Sequence, residues 1–138
     1  MLGAGALMGA PVLAEPPKSA PAVWECKVER RIENGKTTLY DEKMRASPTE
    51  RLTFVAETAG NRGCLLDQTR KNQCGVLFTG AAESGGMLRL DRMDETHTLD
   101  LVNIFPASGR FISIHGQTQW MGKPGDCVLA QGLKVNLP

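Results

Sequence analysis

Short segments in which apolar and polar residues alternate recur along most of the chain, and they limit the possible folds more than any other feature. In residues 24–33, every second residue, starting at Trp24, shares one face of an extended chain. A period of two residues is typical of a β-strand with one face in the core and one in water. Asn34-Gly35 follows at once and favours a tight hairpin turn, so residues 36–44 are predicted to return as an antiparallel strand.

Similar segments follow at intervals of about 8 to 12 residues, each bounded by turn-forming residues. They span residues 52–57, 64–66, 74–78, 87–92, 97–105 and 110–116. The glycine-containing stretch 80–86 is predicted to be a flexible connection. This spacing predicts an all-β fold, a small antiparallel β-barrel or sandwich of about seven to nine short strands.

A helix is the alternative for residues 47–59. Ser47-Pro48-Thr49-Glu50 has the residue types that cap and open a helix. Thr53 and Val55 favour a strand instead, because β-branched side chains fit a strand better than a helix. We therefore predict a strand here.

The chain has four cysteines, and an even number in an oxidising compartment indicates a disulfide framework. Of the three pairings that four cysteines allow, we predict Cys26 with Cys127 and Cys64 with Cys74. The first bond would join the opening strand to the last segment, and the second would clamp the polar hairpin 67–73. Zinc ligation and a redox pair are weaker alternatives, because no two cysteines have C-x-x-C spacing. The fold is therefore predicted to be stapled by disulfides.

Residues 1–14 are apolar, carry no charge and end at the small residue Ala14, as in a secretory signal peptide that is cleaved there. No Lys or Arg precedes Lys18, which suggests an upstream start. A disordered apolar tail is the alternative, and a membrane anchor is disfavoured because about 14 apolar residues fall short of the roughly 20 that span a bilayer. We expect a proline-rich lead at residues 15–22, one β domain at residues 23–138, and a periplasmic or secreted protein without stable membrane insertion.

The composition suits a single small domain, because 41% of the 138 residues are hydrophobic and only 5% are aromatic. The net charge is +1, and basic and acidic residues are interleaved along the whole chain. A domain that binds nucleic acid has a basic stripe or a pI above about 9. Nucleic acid is therefore not expected as a partner.

His97 and His115 are the two histidines of the sequence, and each lies at one end of a predicted strand. A hydrolytic triad or a metal site would need at least one of them beside a nucleophile or carboxylates. The sequence has no G-x-S-x-G, no H-E-x-x-H, no phosphate-binding glycine loop and no dinucleotide fingerprint. We therefore expect no enzyme, cofactor or metal ion, and a site at which the two histidines converge is the rival hypothesis.

Two loops carry candidate binding residues. Residues 120–126 are rich in glycine and proline and contain Trp120 and Lys123, which would either close one end of the fold or meet a partner. The second loop has Arg70 and Lys71 at its tip, with the predicted Cys64–Cys74 bond at its base. A rigid loop with basic tips enters an acidic cleft at low entropic cost. The alternative for the first loop is that Trp120 fills the core, and the alternative for the second is a solvated hairpin.

The general layout, an apolar leader and short strands with Gly125-Asp126-Cys127 near the end, resembles small periplasmic β-domains of Gram-negative bacteria. Some of these, including periplasmic lysozyme inhibitors, bind and block a partner enzyme. The resemblance concerns the layout, and it assigns no functional residue. It implies a periplasmic β-domain, and with the missing catalytic motifs it predicts a non-enzymatic binding or inhibitor-like module with an unknown protein or small-molecule partner.

A lipocalin-like carrier of a small apolar ligand is the alternative function. It requires a cavity of roughly 300 Å³ or more inside the fold. The residues predicted to line that cavity are Phe54, Phe78, Leu101, Phe111 and Ile114.

Overall fold

A computed structural model describes residues 21–70, 73–93, 95–130, 135, 137 and 138. The predicted signal peptide, most of the predicted lead and Lys71 lie outside these residues. The described chain forms two antiparallel sheets that are not closed into a barrel, so the predicted all-β fold is confirmed. None of the helices in these residues is long and apolar enough to cross a membrane.

Twelve strands form the two sheets of the described chain. The first sheet contains β1 (Ala22–Cys26), β4 (Leu52–Glu57), β5 (Arg62–Asp67), β6 (Gln73–Phe78) and β12 (Cys127–Ala130), in the order β12-β1-β4-β5-β6. The second sheet contains β2 (Arg30–Glu33), β3 (Lys36–Leu39), β7 (Gly80–Ser84), β8 (Met87–Met93), β9 (Leu99–Phe105), β10 (Arg110–His115) and β11 (Thr118–Gly122), in the order β3-β2-β11-β10-β9-β8-β7. The remaining elements are the short helix α1 (Glu42–Ala46) and two 3-10 turns (Pro48–Glu50 and Gln68–Arg70).

The main core lies between the two sheets. Phe54 of β4 is fully buried, and its ring centroid lies 6.2 Å from that of Phe111 on β10. The other buried members of this core are Cys26, Val28, Tyr40, Ala56, Phe78, Ala81, Leu88, Leu90, Val102, Ile104 and Cys127. Because burying one large apolar side chain stabilises the fold by about 1.5–3 kcal/mol, this interface provides the larger share of the hydrophobic stabilisation.

A second, smaller apolar cluster lies on the outer face of the first sheet. Its buried members are Val23, Val55, Cys64 and Leu66. Val135 and Leu137 pack against the cluster, and the Arg62 guanidinium donates a hydrogen bond of 2.7 Å to the carbonyl oxygen of Pro138. The outer face of the first sheet is therefore covered by residues near the C-terminus.

Both predicted disulfides are present. Cys26–Cys127 joins β1 to β12 at directly facing positions, and it spans 101 residues of sequence. Cys64–Cys74 joins β5 to β6 and spans 10 residues. All four cysteines are therefore oxidised, which leaves no free thiol for the zinc site considered as an alternative.

The chain crosses between the two sheets at several places. Two of these crossing segments, residues 27–29 and 123–126, lie side by side, and we call them the double crossover. The backbone N–H of Lys27 donates to the carbonyl oxygen of Asp126 at 3.0 Å, and that of Glu29 donates to Met121 at 2.8 Å. The Cys26–Cys127 bond lies at one end of these paired segments. The two sheets are thus joined here by hydrogen bonds and by a covalent bond.

The prediction of one continuous strand over residues 24–33 is wrong. The chain leaves the first sheet after Cys26 and enters the second at Arg30. Val28 is buried in the main core between them, so the bend lets residues on either side of Val28 pair with different sheets. The hairpin that follows is as expected, because Asn34 and Gly35 both have the positive φ of a tight β-turn.

Three further predictions need correction. The strand predicted for residues 36–44 ends at Leu39, because Asp41 caps α1 by accepting a 2.8 Å hydrogen bond from the Met44 backbone N–H. The stretch 80–86, predicted to be flexible, instead contains β7, whose Ala81 is buried in the main core. Residues 118–130 add two strands, β11 and β12, so the described strands outnumber the predicted seven to nine.

The helix considered for residues 47–59 is confined to its first residues. Pro48–Glu50 forms a single 3-10 turn, and the chain then continues as β4. The strand prediction is therefore correct for residues 52–57. A strand is favoured over a helix here because, in β4, Phe54 reaches the main core.

Candidate functional site

A groove of ≈ 610 Å³ lies where the double crossover meets the turn between β9 and β10. The residues that line it are Glu29, Arg30, Phe105, Ser108, Arg110, Phe111, Ile112, Met121, Gly122, Lys123 and Pro124. Its volume is within the range of about 300–1,000 Å³ that is typical of ligand sites. We call it the cationic groove, because of the charges described next.

Three basic residues of the groove, Arg30, Arg110 and Lys123, are exposed. Glu29 is the one acidic residue among the described residues that line it. Within the described chain, none of the three cations takes part in an ion pair. Three cations without an ion-pair partner on one surface give it a positive potential, which would attract an acidic ligand.

Apolar side chains lie between these charges. Ile112 of β10 and Met121 of β11 face each other across the two strands, and Arg30 of β2 is the partner of Met121 on its other side. Phe105, at the end of β9, is 39% exposed. The groove therefore combines an apolar surface with cations, a combination that suits an acidic segment with apolar side chains.

The turn between β9 and β10 is fixed against the double crossover by backbone hydrogen bonds. Gly125 N–H donates to the carbonyl oxygen of Ser108 at 2.7 Å, and Cys127 N–H donates to that of Gly109 at 2.8 Å. Gly109 has φ +77°, and a Cβ there would lie 2.8 Å from the backbone nitrogen of Gly125. Glycine is therefore required at Gly109 for both its conformation and this close approach.

A buried ion pair supports the same wall from behind. The Asp126 carboxylate accepts hydrogen bonds from the Arg45 guanidinium at 2.6 Å and from the Lys123 backbone N–H at 2.7 Å. The side chains of Arg45 and Asp126 are only 11% and 5% exposed. The hydrogen bond to Asp126 raises the pKa of Arg45, and Arg45 also donates to the carbonyl oxygen of Val28. The backbone that presents Lys123 is thus held by a charged contact to α1.

Lys123 and Trp120, two of the predicted binding residues, have different surroundings. Lys123 lines the cationic groove and is exposed. Trp120 is half-buried and packs against the main core, as the core-filling alternative predicts. The second predicted binding loop, which contains Arg70 and Lys71, contributes no residue to the described lining of the groove. Lys71 lies outside the described residues.

Arg70, the other predicted binding residue, is paired within its own loop. Its guanidinium donates to the Asp67 carboxylate at 2.9 Å. Hydrogen bonds from the hydroxyl and the backbone N–H of Thr69, and then from Arg70, lower the pKa of Asp67. The positive charge of Arg70 is therefore already compensated, unlike the three cations of the groove.

The two histidines lie at the same end of the β9–β10 pair. His97 is exposed in the turn before β9, with φ +63°, whereas Nδ1 of His115 contacts the carboxylate of Asp100 across the strands. Among the described residues, no three His, Cys, Asp or Glu side chains form a potential metal site. Activation of a serine nucleophile would require a hydrogen bond from its hydroxyl to a histidine. Within the described residues, no hydrogen bond joins Ser113 to His115.

The residues predicted to line a large carrier cavity are mostly used in packing. Phe54, Phe78 and Phe111 belong to the main core. Leu101 faces Ile114 across β9 and β10. A pocket between the sheets includes Phe78 and Ile114, but its volume is ≈ 140 Å³, less than half of the roughly 300 Å³ that a lipocalin-like carrier would need.

Arg30 and Arg110 are not among the binding residues that the sequence predicts. The alternation places Arg30 on the same strand face as Trp24, and this charged residue in an otherwise apolar series is the one local signal that the strand breaks there. Arg110 follows the turn after Phe105, and no local pattern in the sequence indicates that this turn lies against the double crossover. The contact depends on residues 123–127, which are distant in sequence.

Comparisons with known proteins provide no identity for the chain. No protein-family model, curated protein or solved structure matches it. The resemblance in layout to small periplasmic β-domains therefore stays a prediction, and the function is argued from the geometry of the site.

Proposed function

We propose that the protein is a secreted or periplasmic, non-enzymatic binding module of the inhibitor type, and that its cationic groove binds an acidic segment of a partner protein. The observation that carries this proposal is the set of three exposed cations, Arg30, Arg110 and Lys123, around the apolar pair Ile112 and Met121. Acidic side chains of the partner would pair with the cations, and an apolar side chain between them would cover the pair.

The charges favour a different protein over a second copy of this chain. In a symmetric dimer the same surface patch meets itself, so Arg30, Arg110 and Lys123 would face an identical set of cations. Like charges brought together in an interface are unfavourable. An acidic partner removes this repulsion and gains from opposite charges at the edge of the contact.

The rigidity of the groove supports an inhibitor-like role. Glu29, Lys123 and Pro124 of the double crossover line the groove, and the Cys26–Cys127 bond lies at one end of the same paired backbones. A surface that is already ordered loses little conformational entropy when it binds. Two disulfides also fit the oxidising compartment that export would provide.

The test uses a labelled peptide of Asp, Glu, Phe and Leu residues, and a second peptide in which Lys replaces the acidic residues. Fluorescence anisotropy at several salt concentrations measures the affinity of each. We expect the acidic peptide to bind and the basic one not to bind, with an affinity that falls as salt screens the charges.

The groove variant is Arg30→Glu/Lys123→Glu, and its matched control is Lys36→Glu/Lys43→Glu. Both change the net charge equally, but Lys36 and Lys43 are exposed outside the groove. An exposed ion pair contributes about 0.2–1 kcal/mol. Reversing two cations removes two attractions and adds two repulsions of similar size, so acidic peptide binding should weaken by roughly tenfold. Equal loss in both variants would contradict a specific groove, and absence of binding to the wild type would contradict the proposed partner.

A further inference from the structure

A third pocket, of ≈ 230 Å³, is lined by residues of both sheets, and we call it the end pocket. Its walls include Ala22, Trp24, Ala56 and Leu129 from the first sheet, and Glu83 and Leu88 from the second. Among the described residues, it has no lining residue in common with the cationic groove or with the pocket of ≈ 140 Å³. It is therefore a separate site.

The apolar walls of the end pocket are formed by the core-facing sides of the sheets. Trp24 of β1 faces Phe54 of β4 on one side and Leu129 of β12 on the other. Residues opposite each other on antiparallel strands share one face of the sheet. Because Phe54 is fully buried in the main core, Trp24 and Leu129 also lie on the core-facing side. Leu129 is nevertheless 48% exposed, so the space between the sheets is open to solvent here.

Glu83 adds one negative charge to this apolar opening. It faces Leu88 across β7 and β8, and it lies two residues after Ala81 on the same strand. Leu88 and Ala81 are both buried in the main core, so the side chain of Glu83 projects from the core-facing side of β7. Within the described chain, Glu83 takes part in no ion pair, and no basic residue lines the pocket. Its charge is therefore available to a ligand.

We propose that the end pocket binds a small organic cation, an ammonium group attached to a body of one aromatic ring. A cavity of about 150 Å³ is large enough for benzene, and sites for larger ligands begin at about 300 Å³. The volume of ≈ 230 Å³ lies between these values, so it accommodates one ring with a short substituent. The ring packs against Trp24, Ala56 and Leu88, and the ammonium group pairs with the carboxylate of Glu83. This proposal does not depend on the acidic segment proposed for the cationic groove.

The first experiment compares four probes on the wild-type protein at neutral pH and about 0.15 M salt, at which charges more than about 8 Å apart are largely screened. The probes are benzylamine, benzyl alcohol, benzoate and methylamine. Binding is followed by the NMR shift of the Trp24 indole N–H. The other tryptophan of the sequence, Trp120, is the internal reference, because it lines the pocket of ≈ 140 Å³ instead.

The expected order of affinity follows from one charge and one ring. An ion pair with an exposed carboxylate is equivalent to a gain of up to about fivefold, so benzylamine should bind about threefold to fivefold more tightly than benzyl alcohol. Benzoate is repelled by Glu83 and should bind more weakly than the alcohol. Methylamine has no ring to bury, so it should bind at least about tenfold more weakly than benzylamine.

Variants assign the preference to the end pocket. Glu83→Gln keeps the size of the side chain and removes its charge, so benzylamine should bind only as tightly as benzyl alcohol, whose affinity stays unchanged. Glu33→Gln is the matched control, because Glu33 is exposed outside the pocket and its loss changes the net charge equally. Ala22→Phe should fill the pocket and abolish binding of both probes, since Ala22 faces the buried Ala56 across β1 and β4. Circular dichroism checks that each variant is folded.

Three outcomes would overturn the proposal. If no probe gives a saturable shift of the Trp24 indole in the wild type, the end pocket is not a binding site. If benzyl alcohol binds as tightly as benzylamine, the assigned ligand class is wrong, and neither of these outcomes depends on a variant folding. Equal loss of the preference in Glu33→Gln would assign it to the net charge of the protein. Glu83→Gln should still bind the acidic peptide, so failure of the groove and failure of the end pocket are distinguishable.

Discussion

Removal of the Cys26–Cys127 bond should destabilise the protein much more than removal of Cys64–Cys74. The first bond spans 101 residues and the second spans 10. If a disulfide acts by restricting the unfolded chain, these loop lengths give stabilisations of about 4.7 and about 2.7 kcal/mol. The expected difference between the two double variants, Cys26→Ala/Cys127→Ala and Cys64→Ala/Cys74→Ala, is therefore about 2 kcal/mol.

Burial of the sulfur atoms does not reverse this order. Cys26, Cys127 and Cys64 are buried, and Cys74 is half-buried. Each double variant deletes two sulfur atoms from an apolar cluster, so both lose packing of a similar kind. Any remaining difference in lost packing also destabilises the Cys26→Ala/Cys127→Ala variant more, because both of these positions are buried.

Urea unfolding of the two variants and the wild type, followed by far-ultraviolet circular dichroism, measures the free energy of unfolding from the midpoint and slope. The unfolding transition of each protein must be a single step for the comparison to hold. If the variant without Cys64–Cys74 is the less stable one, or if the two are equally stable, loop length does not govern the stabilisation. The reasoning from the unfolded chain would then be refuted.

Two further predictions concern buried charge and a buried phenol. Arg45→Met should lower the free energy of unfolding, measured in urea, by about 3 kcal/mol, because it leaves the Asp126 carboxylate buried and unpaired. The double variant Arg45→Met/Asp126→Asn should recover part of this loss. A loss below about 1 kcal/mol would mean that the pair behaves as a surface ion pair. Tyr40 is the one tyrosine of the chain, and burial, followed by the negative charge of Glu50, raises its pKa above 10.0. The stability that this raised pKa contributes is complete below the ordinary pKa and is lost as the pH rises through the folded-state pKa. The phenolate absorbance of the folded protein should therefore titrate at higher pH than that of the urea-unfolded protein. Tyr40→Phe should remove this part of the alkaline loss of stability. Coincident titrations of the folded and unfolded protein would contradict the effect of burial.

Local patterns predicted those parts of the fold that local forces decide. The Asn34-Gly35 turn, the strand around Phe54 and the strands on both sides of the turn before Arg110 follow from alternation and turn chemistry. Both disulfide pairings were predicted as well, because the opening and closing strands of a sheet are often neighbours. These features require no knowledge of how the two sheets face each other.

The position of the groove could not be predicted in this way. Alternation continues through Val28, so the pattern did not reveal that the chain changes sheets there. Arg30 and Lys123 come together only because two crossings lie side by side, which depends on hydrogen bonds between distant residues such as Glu29 and Met121. The contact between Asp100 and His115 likewise depends on the register of β9 and β10.

The double crossover also decides how the domain comes apart. It places β1 beside β12 and β2 beside β11, so each sheet needs an early and a late strand of the described chain. The β2–β3 hairpin is attached to the rest of the second sheet only through β11 within the described residues. Loss of the segment from β11 to β12 would therefore open both sheets together, and we expect unfolding to be all-or-none, with no half of the domain persisting as a protease-resistant fragment.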